Sequence, residues 1–472
     1  MRSERSTPHP ATSLGLFLVI LISSPSWAEG SREPSLGQRL TLRRAVEQVM
    51  ANHSAVAAEE INVQAGQIAL KRVRHRQAPA LDFKLKTGLV PEAKGDVLFS
   101  PDEDTDTGNL GPFYDLELRL VQPLATFGKT AAARSVAAHD IEQREISRHS
   151  TAEKLGFEVI RAFWQLDSAV RGLALAQDLR EDYEKLLSKV ERGVQDPESD
   201  IDDTKLFQVR SLEFQVNRVQ QDSLILKRLT ELRLQTLLGL DAIERFEIAA
   251  VPTPDFPMGD DTEQRFISLA DGSNAAIRKL EAVVATLDAR LSLARASGRP
   301  DLFIAGSAHY ADAPNRTDQK NPFVFDPYNT YSLGGFVGLN WDLDFVAHRL
   351  EARQRTLELE ESRKKLEVLK QEIAMEVSTA VAQAEQDHEL LDTVRRSLKA
   401  AKSWLRLSWD NWDLGIGDVD RLVDASNSYY QLSGIAIQRE SRFNLALARL
   451  ALASGRVEMY LEWTENGVVS IN

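Results

Sequence analysis

The sequence predicts an α+β membrane protein built from long helical hairpins and four amphipathic strands, arranged as two copies of one helix–strand–strand–helix unit. Three observations predict it. The prolines are clustered, so long stretches are free to be helical. Apolar residues alternate with period two near the prolines and recur in steps of three and four elsewhere. The order of these elements then occurs twice.

The seventeen prolines fall, after Pro34, within 79–123, at 197, within 252–257 and within 300–327, and none occurs from Tyr328 onward. Proline breaks helix interiors, so the gaps permit long helices. Leu339–Leu414 lacks both Pro and Gly, and as one helix it would span ~115 Å at 1.5 Å per residue. Within it Leu359, Leu366, Leu369, Ile373, Val377, Ala380, Ala384, Leu391, Val394, Leu398 and Ala401 form a heptad-like stripe, imperfect at Asp387. Leu155, Val159, Phe163, Leu166, Val170 and Leu173 repeat the pattern in the first half. Periodicity alone is equally compatible with an ordinary coiled-coil dimer.

The proline-containing zones read as strands. Leu81, Phe83, Leu85, Thr87 and Leu89 alternate with Asp82, Lys84, Lys86 and Gly88, and Tyr114, Leu116, Leu118 and Leu120 alternate with Asp115, Glu117 and Arg119. Tyr331–Trp341 alternates likewise, and Leu302–Tyr310 does so more weakly. One apolar and one polar face suit a membrane barrel, with lipid on one side and a watery lumen on the other. Loops are expected at 92–111, carrying Asp102, Glu103, Asp104 and Asp106, and at 312–328. Phe113, Tyr114, Tyr331, Trp341 and Phe345 lie where an aromatic girdle would sit. Four strands cannot close a pore, so this arrangement requires an oligomer; a soluble sandwich edge is the alternative.

The halves match in order. Helices of roughly 35 residues, Leu42–Gln77 and Gln264–Arg299, each end at a proline that opens a strand. After the second strand a very long helix reaches a polar turn near Gly193 or Gly415, and a last helix returns, Ile201–Leu238 or Val419–Ser454. The expected boundaries are a signal peptide at 1–28, repeats at 29–239 and 263–456 separated by a linker at 240–262 with Pro252, Pro254 and Pro257, and a tail at 457–472. Arg2 and Arg5, the apolar run Leu14–Ile22 and Ser26-Trp-Ala28 form the processing signal. Nine apolar residues are too few to span a bilayer, which takes about 20.

Composition excludes several functions. The chain of 472 residues carries a net charge of −13 and has no basic stripe, which argues against nucleic acid. It has no cysteine, so no disulfide, thiol chemistry or lipid-anchoring cysteine is available. The eight histidines show no helical metal spacing, and there is no phosphate-binding glycine loop or nucleophile elbow. No catalytic residue, cofactor or metal site is expected.

Four segments together resemble the TolC-like outer-membrane efflux protein family: Leu40-Thr-Leu-Arg-Arg-Ala through Asn52, Val121-Gln-Pro-Leu124 with Phe127-Gly128, Leu234-Gln-Thr-Leu-Leu-Gly239, and Leu414-Gly415 with Asp420-Arg-Leu-Val-Asp-Ala-Ser426. The resemblance implies a homotrimer sharing a twelve-stranded transmembrane barrel in outer-membrane lipid, with helices forming a periplasmic tunnel. It implies partners too: a periplasmic adaptor protein and an inner-membrane pump. The function implied is a passive conduit for tripartite efflux or type I secretion. A periplasmic coiled-coil adaptor or scaffold is the alternative, although an adaptor would show one hairpin rather than two.

The hairpin tips are the candidate sites. Acids gather there: Asp196, Glu198, Asp200, Asp202 and Asp203 in the first, Asp418, Asp420 and Asp424 in the second. Helix capping accounts for Asp200 and Asp418. The family narrows its entrance with two aspartates three residues apart; Asp424 matches the second, and Arg421 stands where the first would be. Asp420, Arg421 and Asp424 are therefore the candidate gate, with Arg421 expected to pair with a neighbouring acid. Gly193, Val194, Leu414, Gly415 and Ile416 are the candidate adaptor contacts, Gly193, Gly415 and Gly417 permitting the turns. Trp404, Trp409 and Trp412 are read as packing residues.

Overall fold

The computed structural model describes residues 39–95, 104–197, 201–240, 246–256, 259, 261–318 and 326–470. The signal peptide expected at 1–28, Asp102 and Glu103 of the first loop, and Glu198 and Asp200 of the first tip lie outside these residues.

Each opening helix is two helices rather than one. The first repeat has α1 (Leu42–Asn52) and α2 (Ser54–His75), and the second has α6 (Thr262–Ser273) and α7 (Ala275–Ser297). The breaks fall at matching places, on His53 and Asn274, both extended at φ −65°, ψ 137° and φ −60°, ψ 124°. In each the side chain that ends one helix caps the next. His53 Nδ1 accepts from the Ala55 N–H at 3.1 Å, and Asn274 Oδ1 accepts from the Ala276 N–H at 2.9 Å. Such caps satisfy donors that a new helix start would orphan. Asn274 also donates Nδ2 to the Ala453 carbonyl at 2.8 Å, which ties the break to the rest of the fold.

The strands are β1 (Ala80–Lys94), β2 (Asp104–Ala125), β3 (Asp301–Asp312) and β4 (Thr330–Asn340), in one antiparallel sheet ordered β1-β2-β3-β4. The first hairpin is longer than expected. Its ladder runs on past a bulge at Pro91/Glu92 to Lys94↔Asp104, so Asp104 and Asp106 belong to a strand and not to a loop. β2 against β3 joins the two repeats, with Leu116↔Tyr310 and Leu120↔Gly306 in register. Phe127 (φ 44°) and Gly128 (φ 99°) then turn the chain from strand into helix.

Two helices run nearly the whole length, α3 (Lys129–Gln195, 67 residues) and α8 (Phe345–Asp413, 69 residues). At 1.5 Å per residue each is about 100 Å long. The first return splits into α4 (Asp203–Ser211) and α5 (Glu213–Leu238) where Leu212 donates to the Val209 carbonyl; α9 (Val419–Ala453) is continuous. Near the sheet the packing order is α2–α3–α7–α8, and near the tips it is α5–α3–α9–α8. The seam of α8 follows the expected stripe, and its odd member, Asp387, is buried and receives Arg439 Nη1 at 3.2 Å. No described helix is long and apolar enough to cross a membrane.

The main core lies midway, where both repeats meet the chain's end. Residues 457–472, expected as a tail, hold α10 (Glu458–Asn466), whose Tyr460, Leu461 and Trp463 are buried. Burying such side chains is worth roughly 1.5–3 kcal/mol each, which is why this segment is docked rather than free. Trp164 Nε1 donates to Tyr460 Oη at 2.6 Å, and that hydroxyl donates to Asn444 Oδ1 at 3.0 Å. The linker is pinned here too: Ile248 bridges Leu40, Asp255 bridges Val468, and Phe256 is buried.

Glu153 on α3 sits in this core, only 3% exposed, and accepts from the Val457 N–H at the start of α10. Desolvation raises its pKa to about 7; the charge of Glu458 adds to the rise and Arg278 opposes it. His149 Nε2 lies 3.6 Å away. A carboxyl that titrates higher when folded binds protons more tightly in the folded state, so stability falls as pH rises from the ordinary value near 4.5 to about 7. Glu153→Gln keeps the acceptor and removes the charge. Its melting temperature is expected to exceed the parent's at pH 8 and to converge with it below pH ~4.5; a pH-independent difference in calorimetry would reject the assignment.

Candidate functional site

The two tips are stapled to each other. Asp418 caps α9, accepting from the Asp420 N–H at 3.2 Å, and Asp202, not the expected Asp200, caps α4, accepting from the Lys205 N–H at 3.1 Å. Those caps set Lys205 facing the second tip, where its ammonium bonds Asp420 and lies 3.8 Å from Asp418. The Lys205 hydrogen bond, then that of Gln208, holds the Asp420 carboxyl below its ordinary pKa, and Asp420 in turn raises Lys205. The pair therefore stays charged at neutral pH and is lost only in acid, as Asp420 protonates. A second link joins Lys189 to Asp413, with the ammonium 5.2 Å from the Trp409 ring centre. Sequence reasoning missed both lysines; the available signal for Lys205 was a cation just after an acid-rich turn, and Lys189, inside α3, carried none.

Beneath the ion pairs lies a small core of its own, with Leu186, Val190, Val209, Leu405, Val419 and Leu422 buried and Trp409 and Trp412 packed on it. Trp404 is more exposed, at 45%. Above it a cavity of about 380 Å³ opens among Leu179, Tyr183, Val216, Trp409, Val423 and Tyr430. Tyr430 Oη donates to Asp182 Oδ2 at 2.7 Å across its wall. Burial, reinforced by that carboxylate, keeps the phenol protonated well above its usual range.

The candidate gate residues separate. Asp420 is engaged by Lys205, whereas Arg421 and Asp424 are exposed and, among the described residues, form no ion pair within the chain. The intrachain partner expected for Arg421 is thus not present. Leu422, Val423 and Ala425 pack inward, so Arg421 and Asp424, one helical turn apart, share the open face.

The candidate tip contacts also divide. Leu414 and Ile416 are 73% and 74% exposed. Between them Gly415 is left-handed at φ 72°, and the Gly415 and Ile416 N–H groups bond the Trp412 and Asn411 carbonyls at 3.0 Å each. This is a glycine-dependent helix stop. Gly193 is different: it lies inside α3, which ends two residues later, so the first turn is not made by this glycine. Val194 is half-buried.

Gly417 is required by close approach, since a Cβ there would lie 2.6 Å from Trp412 N and 2.8 Å from Trp412 Cα. Gly417→Ala is expected to loosen the second tip by about 1–3 kcal/mol, seen as faster amide exchange across 405–425 with the sheet unaffected. Unchanged protection there would refute the tight turn.

In the sheet, Lys84, Lys86, Asp115, Glu117 and Arg119 share one face, with Lys86–Asp115 at 3.0 Å and His309–Asp115 at 2.8 Å. The other face carries Leu81, Phe83, Leu85, Leu118, Leu120, Leu333 and Val337, all exposed by 40% or more. Tyr114, Tyr310 and Tyr331 lie toward its far end and Trp341 and Phe345 toward the helices. Phe113, expected in this girdle, points to the charged face instead, edge-on to Tyr328 at 5.3 Å. No described group of three or more His, Asp or Glu is placed to hold a metal ion.

Residues 266–456, from α6 to just beyond α9, match the family model described as outer membrane efflux protein. The match covers 191 of the 472 residues, all in the second half of the chain. No curated protein matches its sequence. Among solved structures, a membrane protein from Pseudomonas aeruginosa is similar with a TM-score of 0.69 at 19% identity, over 88% of this chain and 90% of that one. The open state of the Neisseria gonorrhoeae MtrE outer membrane channel gives 0.68 at 17% identity, over 88% and 89%. The Campylobacter jejuni CmeC outer membrane channel gives 0.66 at 11%, over 90% and 89%. These likenesses establish the fold over most of the chain, including the first half that the family model does not reach.

Proposed function

We propose that this protein is the outer-membrane channel of a tripartite efflux or type I secretion system, a passive conduit from the periplasm to the outside. The observation that carries the reading is a sheet that cannot stand alone. It has an exposed apolar face, an opposite face of charges, and two unpaired edges, β1 and β4. Only closure into a barrel places the first in lipid, the second around water, and leaves no edge.

Closure takes three copies. Four antiparallel strands per chain is an even number, so β4 of one copy meets β1 of the next antiparallel. Two copies would give eight strands, whose interior side chains just fill; three give twelve and leave a lumen. β4 itself, Thr330–Asn340, takes ten steps end to end, about 33 Å of strand. Tilted by ~40° this covers about 25 Å of membrane height, the depth of an apolar band.

The helices continue the conduit into the periplasm. At the tips, Leu414, Gly415 and Ile416, with Gly193 and Val194, offer a surface for a periplasmic adaptor, through which an inner-membrane pump supplies the energy. The channel itself performs no chemical step. Threefold repetition of the open face of α9 makes rings of Asp424 and Arg421, and carboxylate rings favour cations.

Two experiments test this. Native mass and membrane fractionation are expected to give a trimer in the outer membrane; a soluble monomer sinks the proposal. In planar bilayers, Asp424→Ala should lower the cation-over-anion preference by about twofold or more and Arg421→Ala should raise it. Reversal potentials unchanged in both variants would remove these residues from the gate.

A further inference from the structure

The charged face of the sheet is covered at its far end. Steps of two lead from Lys86 to Gly88 and Val90, from Asp115 to Phe113 and Gly111, and from His309 to Ala311, all on that face, and Ala313 follows at the end of β3. Most of the sheet is open on both faces, yet Val90 is 3% exposed, Ala311 4% and Ala313 1%.

The cover comes from the β3–β4 connection. The Asn315 side chain occupies the space that a Cβ on Gly111 would need, and its Nδ2 donates to the Val90 carbonyl at 3.1 Å. Arg316 donates Nη1 to the Pro91 carbonyl at 3.1 Å and Nε to Asp326 Oδ2 at 3.0 Å, and its guanidinium lies 5.1 Å from the Tyr328 ring centre. The Thr317 N–H reaches the Ala93 carbonyl at 3.0 Å, so the segment has crossed β2 and arrived at β1. Asn329 closes the path, donating Nδ2 to the Arg316 carbonyl at 3.1 Å and accepting from the Ala313 N–H at 2.6 Å. Arg316 and Asp326 side chains are only 17% and 6% exposed. A buried bidentate-capable pair with backbone partners holds its geometry firmly.

We infer that residues 313–318 and 326–329 are a strap folded into the lumen, and that three copies of it form a second constriction at the outer mouth, which selects cargo by size. The inference rests on the channel reading above, since only in a closed barrel is the charged face a lumen. The strap's Arg316 and Asp326 are paired with each other, and Asp318 is its exposed carboxylate. At the tip, by contrast, Arg421 and Asp424 both stand exposed.

The chain has no cysteine, so any introduced thiol is unique. Asp318→Cys places one on the exposed part of the strap, and His309→Cys places one on the lumen face just beneath it. Intact cells are treated from outside with two membrane-impermeant maleimides, one compact and sulfonated, one carrying a long polyethylene glycol. Both are expected to label D318C, and only the compact one to label H309C. Adding Arg316→Ala should take labelling of H309C by the large reagent from undetectable to the level at D318C. Equal labelling of H309C by both reagents with Arg316 present, or a size limit unchanged by R316A, overturns the strap. No labelling of D318C by either reagent overturns instead the outer-membrane reading. If R316A fails to insert, the pair Gly111→Cys with Asn315→Cys decides: a disulfide under mild oxidation supports the inward fold, and two free thiols overturn it.

Discussion

The structure depends on one constraint: at every level the chain is a row of four elements with two unsatisfied ends. In the sheet the ends are β1 and β4, with free N–H and C=O groups. In the helical layer beside the sheet they are α2, with Ile61 66% exposed, and α8, with Val346 69% and Leu350 65% exposed. In the layer near the tips they are α5, with Phe214 72% and Leu229 58% exposed, and α8 again, with Leu407 59% exposed. None of these ends can be satisfied by the chain's own elements, because each is already packed on its other side. Copies set side by side satisfy all three levels with one operation.

The duplication explains why the three levels stay in step. α3 and α8 each run through both helical layers, so they act as rods that tie the spacing of the sheet to the spacing of the tips. The shorter helices pack around them: α7 and α9 between α3 and α8, and α2 and α5 on the outer side of α3. The matched breaks at His53 and Asn274 fall where the core begins, and the second is bonded to the end of α9. The repeats differ where they meet other parts of the chain. α10 and the linker pack into the core, and the tips diverge because one supplies the lysine and the other the aspartates that join them.

What could be read from the sequence was what depends on neighbours in the chain. Leu81, Phe83 and Leu85 alternate because a strand does, and Ile373, Val377, Ala380 and Ala384 recur because a helix does. The paired order of elements followed from these. What escaped depends on distant partners. His53 and Asn274 look like ordinary helix residues until their caps are seen. The segment after Val457 is rich in Trp and Tyr, yet its partner Trp164 lies nearly 300 residues away, |i−j| 296. Asp387 marred a heptad until Arg439 was found opposite it. The site was legible in the same measure: exposed Leu414 and Ile416 and the turn at Gly415 were visible, whereas the engagement of Asp420 by Lys205 was not.

That last contact decides the electrostatics of the proposed entrance. Successive helix residues are turned by about 100°, so Asp420 and Arg421 cannot serve the same surface. Asp420 is directed to Lys205, and its negative charge is engaged in the joint between hairpins. Arg421 and Asp424 remain together on the open face. In a threefold assembly they stack a ring of cations one turn from a ring of anions, and their fields largely cancel beyond a Debye length of about 8 Å in physiological salt. Two aspartates in that place would instead add. The outer strap likewise pairs Arg316 with Asp326. In the proposed assembly both narrow points would therefore act on what passes mainly through their width, with charge felt only at contact.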